Sequence, residues 1–255
     1  MIDLPKEKIV AVAHSPKKTV LYGMPKVGKT TLLAKLDDCL IIDLEDGSDY
    51  VDALKVKANS LDELGEVGAA IVKQNYPYKR IAIDTVTKLE EWCEEEATIK
   101  YMNSSVGASF NRDKLKQMLP KKDWKSVLTL PHGAGYLWLR ISYKSWIDRL
   151  AMLAPEIIFI GHLKDKIINK AGKEVSASDL DLTGKIRNIT CQKADAIGYV
   201  YRKDDKTMMS FETKDEITCG SRCAHLKGQE FVIGELADEN KMDSFVAFWD
   251  KVYLD

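Results

Sequence analysis

No stretch of the sequence is apolar for long enough to cross a bilayer as a helix, so no membrane partner is expected. The opening residues MIDLPKEKIV also lack the apolar core of a secretory signal, and the expected location is the cytoplasm. Cysteine is sparse and odd in number, at Cys39, Cys93, Cys191, Cys219 and Cys223, with no Cys-x-x-Cys pair. That argues against a disulfide scaffold and a zinc ribbon alike; Cys219 and Cys223 have only His225 nearby as a further soft ligand. Neither sign of charge dominates, with 38 Lys plus Arg against 39 Asp plus Glu. A nucleic-acid partner would therefore have to be met by local basic patches, because no global field exists. Internal repeats and low-complexity tracts are missing too, which excludes a solenoid. What remains is a chain of 255 residues, 45% of them apolar, enough for one sizeable α/β core.

Short apolar runs alternate with helix-forming stretches. Thr19–Tyr22 is β-prone and stops at Gly23, and residues 30–36 then have helical composition. Cys39–Leu44 and Arg80–Asp84 are continuous apolar runs, as expected of strands covered on both faces. Between them, Leu61, Leu64, Val67, Ala70 and Ile71 recur at helical spacing across 61–74. A helix through Leu89, Trp92 and Cys93 follows, then another over 137–153, and a strand over 156–161. Residues 1–18 read as a lead-in arm, 101–136 as a basic, aromatic insertion partly helical near 112–119, and 164–190 as a polar loop. A hairpin of strands at 196–202 and 208–213 turns at Asp204-Asp205. Residues 215–234 read as irregular, and the closing region, 235–255, as a C-terminal helix. The alternation predicts an α/β fold in one domain: a mainly parallel sheet flanked by helices, with antiparallel edge strands.

Between the first strand and the first helix lies Gly23-Met24-Pro25-Lys26-Val27-Gly28-Lys29-Thr30, followed by Thr31. The spacing G-x-x-x-x-G-K-T is that of a phosphate loop. Glycines let the backbone wrap an anion, the lysine supplies a point charge for the β- and γ-phosphates, and the threonine hydroxyl ligates Mg²⁺. Strand before and helix after is the context that the motif needs. Lys26 is an extra cation, able to reach a phosphate in its own or a neighbouring subunit's site, or simply solvated.

A Mg²⁺–triphosphate also needs a carboxylate at a neighbouring strand end. Asp84 closes RIAID and Asp43 closes CLIID, so both satisfy that position. Glu45, just past the second strand, is placed to act as general base on the attacking water. Asp46 and Asp49 read as solvated turn residues. His162 follows the 156–161 strand and is a candidate γ-phosphate sensor; a hydrogen-bonded loop histidine is the plain alternative. The absence of an Asn/Thr-Lys-x-Asp guanine signature favours ATP as the nucleotide.

Taken together, GMPKVGKTT, LIIDLEDGSDY, IAIDTVTKL and IIFIGHLKDK resemble the motifs of RecA-like P-loop ATPases. Within these, the chain looks most like small phage-type members tied to single-strand annealing and recombination. The resemblance implies a RecA-like core binding ATP and Mg²⁺, with Glu45 as base and Asp84 as metal carboxylate. It puts His162 where RecA carries glutamine. It also implies single-stranded DNA as partner, a homo-oligomer or filament, a single-strand-binding protein as helper, and the host cytoplasm if the gene is a phage's. Two stretches occupy the DNA-loop positions. The first holds Lys114, Lys116, Lys121, Lys122 and Lys125 among Tyr101, Phe110, Trp124 and Tyr136. The second holds Lys164, Lys166, Lys170, Lys173, Lys185 and Arg187. Lysines for phosphates and aromatics for bases suit a sequence-tolerant groove. The rival reading is a regulatory or assembly NTPase that switches a protein partner.

Overall fold

The continuous apolar runs form the centre of one sheet. The computed structural model describes residues 4, 6–8, 14–107, 126–170, 173–214, 216–236, 243–245 and 248–254. Strand β1 (Lys18–Gly23) pairs in parallel with β5 (Glu156–Lys170) on one side and β7 (Ala196–Lys203) on the other. Beyond β5 come β4 (Arg80–Asp84), β2 (Cys39–Asp43) and the short edge strand β3 (Lys55–Lys57), all parallel. Past β7 the ladder turns antiparallel through β8 (Lys206–Ser210), β10 (Glu230–Leu236) and β11 (Asp243–Phe245). Strand β6 (Lys173–Leu180) pairs with the outer half of β5 and, at Ser178, bridges to Ile217, and β9 (Gly220–Ser221) pairs with the start of β7. This is the mixed α/β sheet expected from the alternation, with antiparallel strands at one edge.

The central strands are apolar throughout because both faces are covered. Val20 and Tyr22 of β1, with Ile157 and Phe159 of β5, face helices α2 (Leu61–Lys73), α3 (Val86–Met102) and α4 (Gly135–Leu150). Their alternates Leu21, Ile158 and Ile160 face α1 (Lys29–Leu33) and the buried ring cluster Phe248, Trp249 and Tyr253. Helix α2 starts at Ser60, whose hydroxyl accepts the Glu63 amide, while Glu63 reaches back to the Asn59 amide. At the far end of the sheet Arg80 and Glu156, opposite one another in β4 and β5, form a buried ion pair at 2.6 Å. The Arg80 guanidinium also lies 4.3 Å from the centre of the Tyr253 ring.

Several expectations are corrected. The polar loop at 164–190 is instead a ribbon: β5 continues past the sheet, pairs with β6 from Leu163↔Leu180 to Lys170↔Lys173, and is followed by helix α5 (Ile186–Gln192). Ile167 is 72% exposed while Ala177, Asp179 and Leu180 near the root are buried, so no apolar period-two pattern marks the ribbon. Within the stretch read as irregular, β10 pairs with β8, with a register shift at Val232/Gly234 that interrupts its alternation. The C-terminal helix at 235–255 does not form among the described residues. Asp243–Phe245 is a strand, and Trp249–Lys251 makes one 3-10 turn. Phe248, Trp249, Val252 and Tyr253 are buried together against the sheet, at a spacing that a helix would share, which is why the sequence reads as one. The hairpin's second strand runs 206–210 instead of 208–213, and α1 is shorter than 30–36. Of the basic, aromatic insertion, residues 108–125, with the helix expected near 112–119, lie outside the described residues. Tyr101 is buried edge-on against Trp138, a core residue instead of a free stacking surface.

Candidate functional site

Strands β1, β2 and β4 end where β5 leaves the sheet, and residues at and just past that edge line a cleft of about 420 Å³. Pro25, Lys26, Gly28, Lys29, Thr30 and Thr31 form one wall. Asp43, Glu45, Asp84, Thr85 and His162 converge from the other strand ends, and Tyr50 stands at the rim, 98% exposed. The order of strands explains the convergence. Strand β5 lies between β1 and β4, with His162 opposite Gly23 and Ile160 opposite Asp84, so His162 stands just beyond the aspartate ending β4.

The loop divides its labour. Lys29 is buried, and its Nζ donates to the carbonyls of Gly23 and Met24, both at 2.9 Å. Burial lowers its pKa, against the pull of Asp84 and Glu45. Those carbonyl bonds brace the loop and hold the ammonium at the cleft wall. Lys26 (φ 62°) and Gly28 (φ 95°) lie in the left-handed region and turn the backbone around the cavity. Val27 packs into the core on the α1 side, and the Met24 side chain is exposed. Gly23 has a reason that spacing alone does not reveal: a Cβ there would lie 2.2 Å from the Val200 carbonyl oxygen of β7. Helix α1 is only five residues long, so its dipole adds little to the loop's own N–H groups.

The two aspartates that satisfied the metal position are separated by their bonds. Asp43 accepts backbone N–H groups from Glu45 (3.0 Å), Gly47 (3.3 Å) and Ser48 (2.8 Å), which fixes the turn after β2. Asp84 instead accepts the Thr30 hydroxyl at 2.7 Å. Burial pushes the Asp84 carboxyl above its usual range; the Thr30 bond opposes this and the nearby Asp43 charge adds to it. A buried carboxylate beside a hydroxyl, on the floor of a cleft bearing a lysine, is the hard-oxygen donor set that suits Mg²⁺ shared with phosphate oxygens. The residues present fit that ion and a triphosphate.

Glu45 is clamped from two sides. Thr85 Oγ1 donates to its Oε1 at 2.6 Å, and His162 Nε2 lies 2.9 Å from Oε2. Burial raises its pKa, but the bonds from His162 and Thr85 outweigh that and hold it below the usual glutamate range. The glutamate is thus ionised at neutral pH, with lone pairs to spare toward the cleft. His162 Nδ1 is buried without a hydrogen-bond partner among the described residues. Thr85, the N-cap of α3, ties the glutamate to the β4 end and also accepts the Lys88 amide. Its hydroxyl was legible only as the residue after Asp84.

Other candidates are engaged elsewhere. Asp46 and Asp49 both pair with Lys57. The Cys219 thiol donates to the Glu212 carbonyl, and His225 Nε2 faces the Val252 carbonyl, so these residues are not turned toward one ion. In the ribbon region Lys164 pairs with Asp181 and Arg187 with Asp179. The turn at Pro131–Tyr136 does not line the cleft. No described helix is long and apolar enough to cross a membrane.

Comparison with known proteins adds a family. A family model described as an AAA domain matches residues 15–223, which span the cleft and every strand of its floor. No curated protein matches the sequence. Among solved structures, the crystal structure of the RadB recombinase is similar over 88% of this chain and 89% of its own, at 12% identity and a TM-score of 0.43. A likeness that distant carries no weight for function.

Proposed function

The chain belongs to the AAA domain family, and from that premise we propose a magnesium-dependent ATPase whose nucleotide state sets the β5–β6 ribbon, through which it engages single-stranded DNA. One observation carries the reading. Glu45 is held between Thr85 and His162, and His162 is the residue at which β5 leaves the sheet to become the ribbon. The residue that would activate water is therefore bonded to the root of the element that would move.

In this reading Gly23–Thr31 cradle the phosphates, with Lys29 as the cation toward the β- and γ-phosphates. Thr30 and Asp84 hold Mg²⁺, which when bound supplies Lewis-acid neutralisation of the phosphate oxygens. Glu45 takes a proton from water as the water oxygen bonds to the γ-phosphorus and the bond to the bridging oxygen breaks, leaving ADP and phosphate. Thr85 keeps the carboxylate aimed. His162 exchanges its bond to Glu45 for one to the γ-phosphate, and so registers whether that group is present. Tyr50 offers its exposed ring to the base. We read the whole chain as one RecA-like domain in recombination, repair or replication, acting as a homo-oligomer or filament beside a single-strand-binding protein.

The test is fluorescence anisotropy of a labelled oligonucleotide, with and without ATP and Mg²⁺. ATP-dependent binding that weakens with salt is expected, and absence of binding at low salt removes the DNA partner. Lys29→Ala should lose both nucleotide binding and the ATP effect. One observation favours a second reading: Lys164 and Arg187 are already paired with Asp181 and Asp179. That lowers the charge free for phosphates and suits a switch acting on a protein partner. Full ATPase activity without oligonucleotide binding would select it.

A further inference from the structure

The ribbon has two strands, and the contact from His162 to Glu45 accounts for the root of only one. The other root is β6 and the residues after it, and these are fastened to α3. That helix begins directly after Thr85, so its first turns follow the Asp84–Thr85 segment rigidly. Thr87 Oγ1 donates to the Asp181 carbonyl and accepts the His162 amide, both at 3.3 Å, bridging the two strands where they leave the core. One turn further along α3, the Glu90 carboxylate accepts the Thr183 amide with both oxygens, at 2.9 and 3.1 Å.

Glu90 is an expensive way to hold Thr183, whose backbone amide and side chain both bond to it. It is 7% exposed, and its charged neighbours include the carboxylates of Asp181 and Glu94. Burial, reinforced by those two, pushes its carboxyl above the usual range. An apolar residue would pack there at less cost but could not grip a backbone N–H. Buried charges of this kind are best explained by the geometry that they specify.

We propose that Glu90 is a positioning residue, the joint through which α3 transmits the nucleotide-dependent placement of Asp84–Thr85 to the β6 root of the ribbon. The inference rests on reading the cleft as an ATP site. It makes the ribbon a lever coupled to the cleft at two points, β5 by Glu45–His162 and β6 by Glu90–Thr183, with the backbone bonds of Ser178 to Glu216 and Thr218 as its fixed support. The first joint answers the γ-phosphate directly, and the second follows helix α3. A change in the cleft then swings the ribbon as a body, because both strands receive it.

Hydrogen exchange on the full chain tests this, with and without a non-hydrolysable ATP analogue and Mg²⁺, alongside binding of a fluorescent nucleotide. In the unmodified protein, nucleotide should change exchange at 163–168 and at 177–183. Glu90→Leu should bind nucleotide within about threefold of the parent. Its Thr183 amide should exchange at least about tenfold faster, as expected on losing a bond to a charged acceptor. It should lose the nucleotide response at 177–183 while keeping that at 163–168. Glu90→Gln, which keeps one acceptor oxygen and the same shape, should restore part of the response; it also serves if the leucine variant does not fold. A full response at 177–183 in both variants overturns the proposal, as does a parent protein that binds nucleotide with no change in the ribbon. A parent protein that binds no nucleotide at all overturns the ATP reading itself.

Discussion

Glu45→Gln isolates basicity from geometry at this site. The amide can keep its oxygen on the Thr85 hydroxyl and offer its NH₂ to His162 Nε2 in the tautomer protonated at Nδ1, so both clamping contacts, now at 2.6 and 2.9 Å, survive the change. The loop, Lys29 and the Thr30–Asp84 pair are untouched, so nucleotide affinity should stay within about threefold. Only the capacity to take a proton from water is lost. General bases contribute about 10²–10⁴ in rate, or roughly 2.7–5.5 kcal/mol of barrier at about 1.4 kcal/mol per decade. We expect phosphate release at saturating ATP to fall by two to four decades on that scale. Fluorescent-nucleotide binding and steady-state phosphate release, measured on the same preparation, separate the two effects. The pH profile gives a second reading. A base held below the usual glutamate range stays ionised at neutral pH and is lost only as pH falls through that lowered value. The acid limb of kcat/KM should therefore lie below the ordinary glutamate value of about 4.3. Turnover of Glu45→Gln within threefold of the parent would refute the assignment, and so would an acid limb near about pH 6.

Tyr50→Ala should raise KM for ATP by between about fivefold and a hundredfold, the range for losing one base–aromatic stack of about 1–3 kcal/mol. It should leave binding of inorganic tripolyphosphate unchanged; an unaltered KM takes Tyr50 out of the base site. Gly23→Ala should destabilise the fold by about 1–3 kcal/mol, because its Cβ meets the Val200 carbonyl at 2.2 Å. The loss should appear as a lower Tm in the nucleotide-free protein, and an unchanged Tm would mean that β1 and β7 can separate freely. Removing one partner of the buried Arg80–Glu156 pair, as in Glu156→Ala, should cost about 3–5 kcal/mol in urea unfolding. The double variant Arg80→Met/Glu156→Leu should recover most of that. A single variant costing under about 1 kcal/mol would show the pair to be dispensable.

Where a residue's reason lay in its own neighbours along the chain, the sequence was enough. The apolar runs of β1, β2, β4 and the first part of β5, and the amphipathic α2, are of this kind, and they stand in the fold as read. Reasons that lie across the sheet stayed hidden. Asp43 and Asp84 both end apolar strands, and only the turn after β2, which folds back to give Asp43 three backbone N–H groups, leaves Asp84 for Thr30. Gly23 was readable as a phosphate glycine, yet its tightest constraint is a carbonyl on β7, some 180 residues along the chain. The ribbon was missed because its described buried side chains, Ala177, Asp179 and Leu180, lie together near the root and one of them is charged, so no apolar alternation announces the strand. A two-stranded projection that runs beyond the core can shift at its outer end while its root, anchored by Leu180 in the core and by Ser178 against the 216–218 segment, stays in place. A strand packed on both faces, such as β1, cannot follow without breaking the core. The part of β5 whose structure was hardest to read is thus the part best built to move, and His162 stands at the boundary between the two regimes.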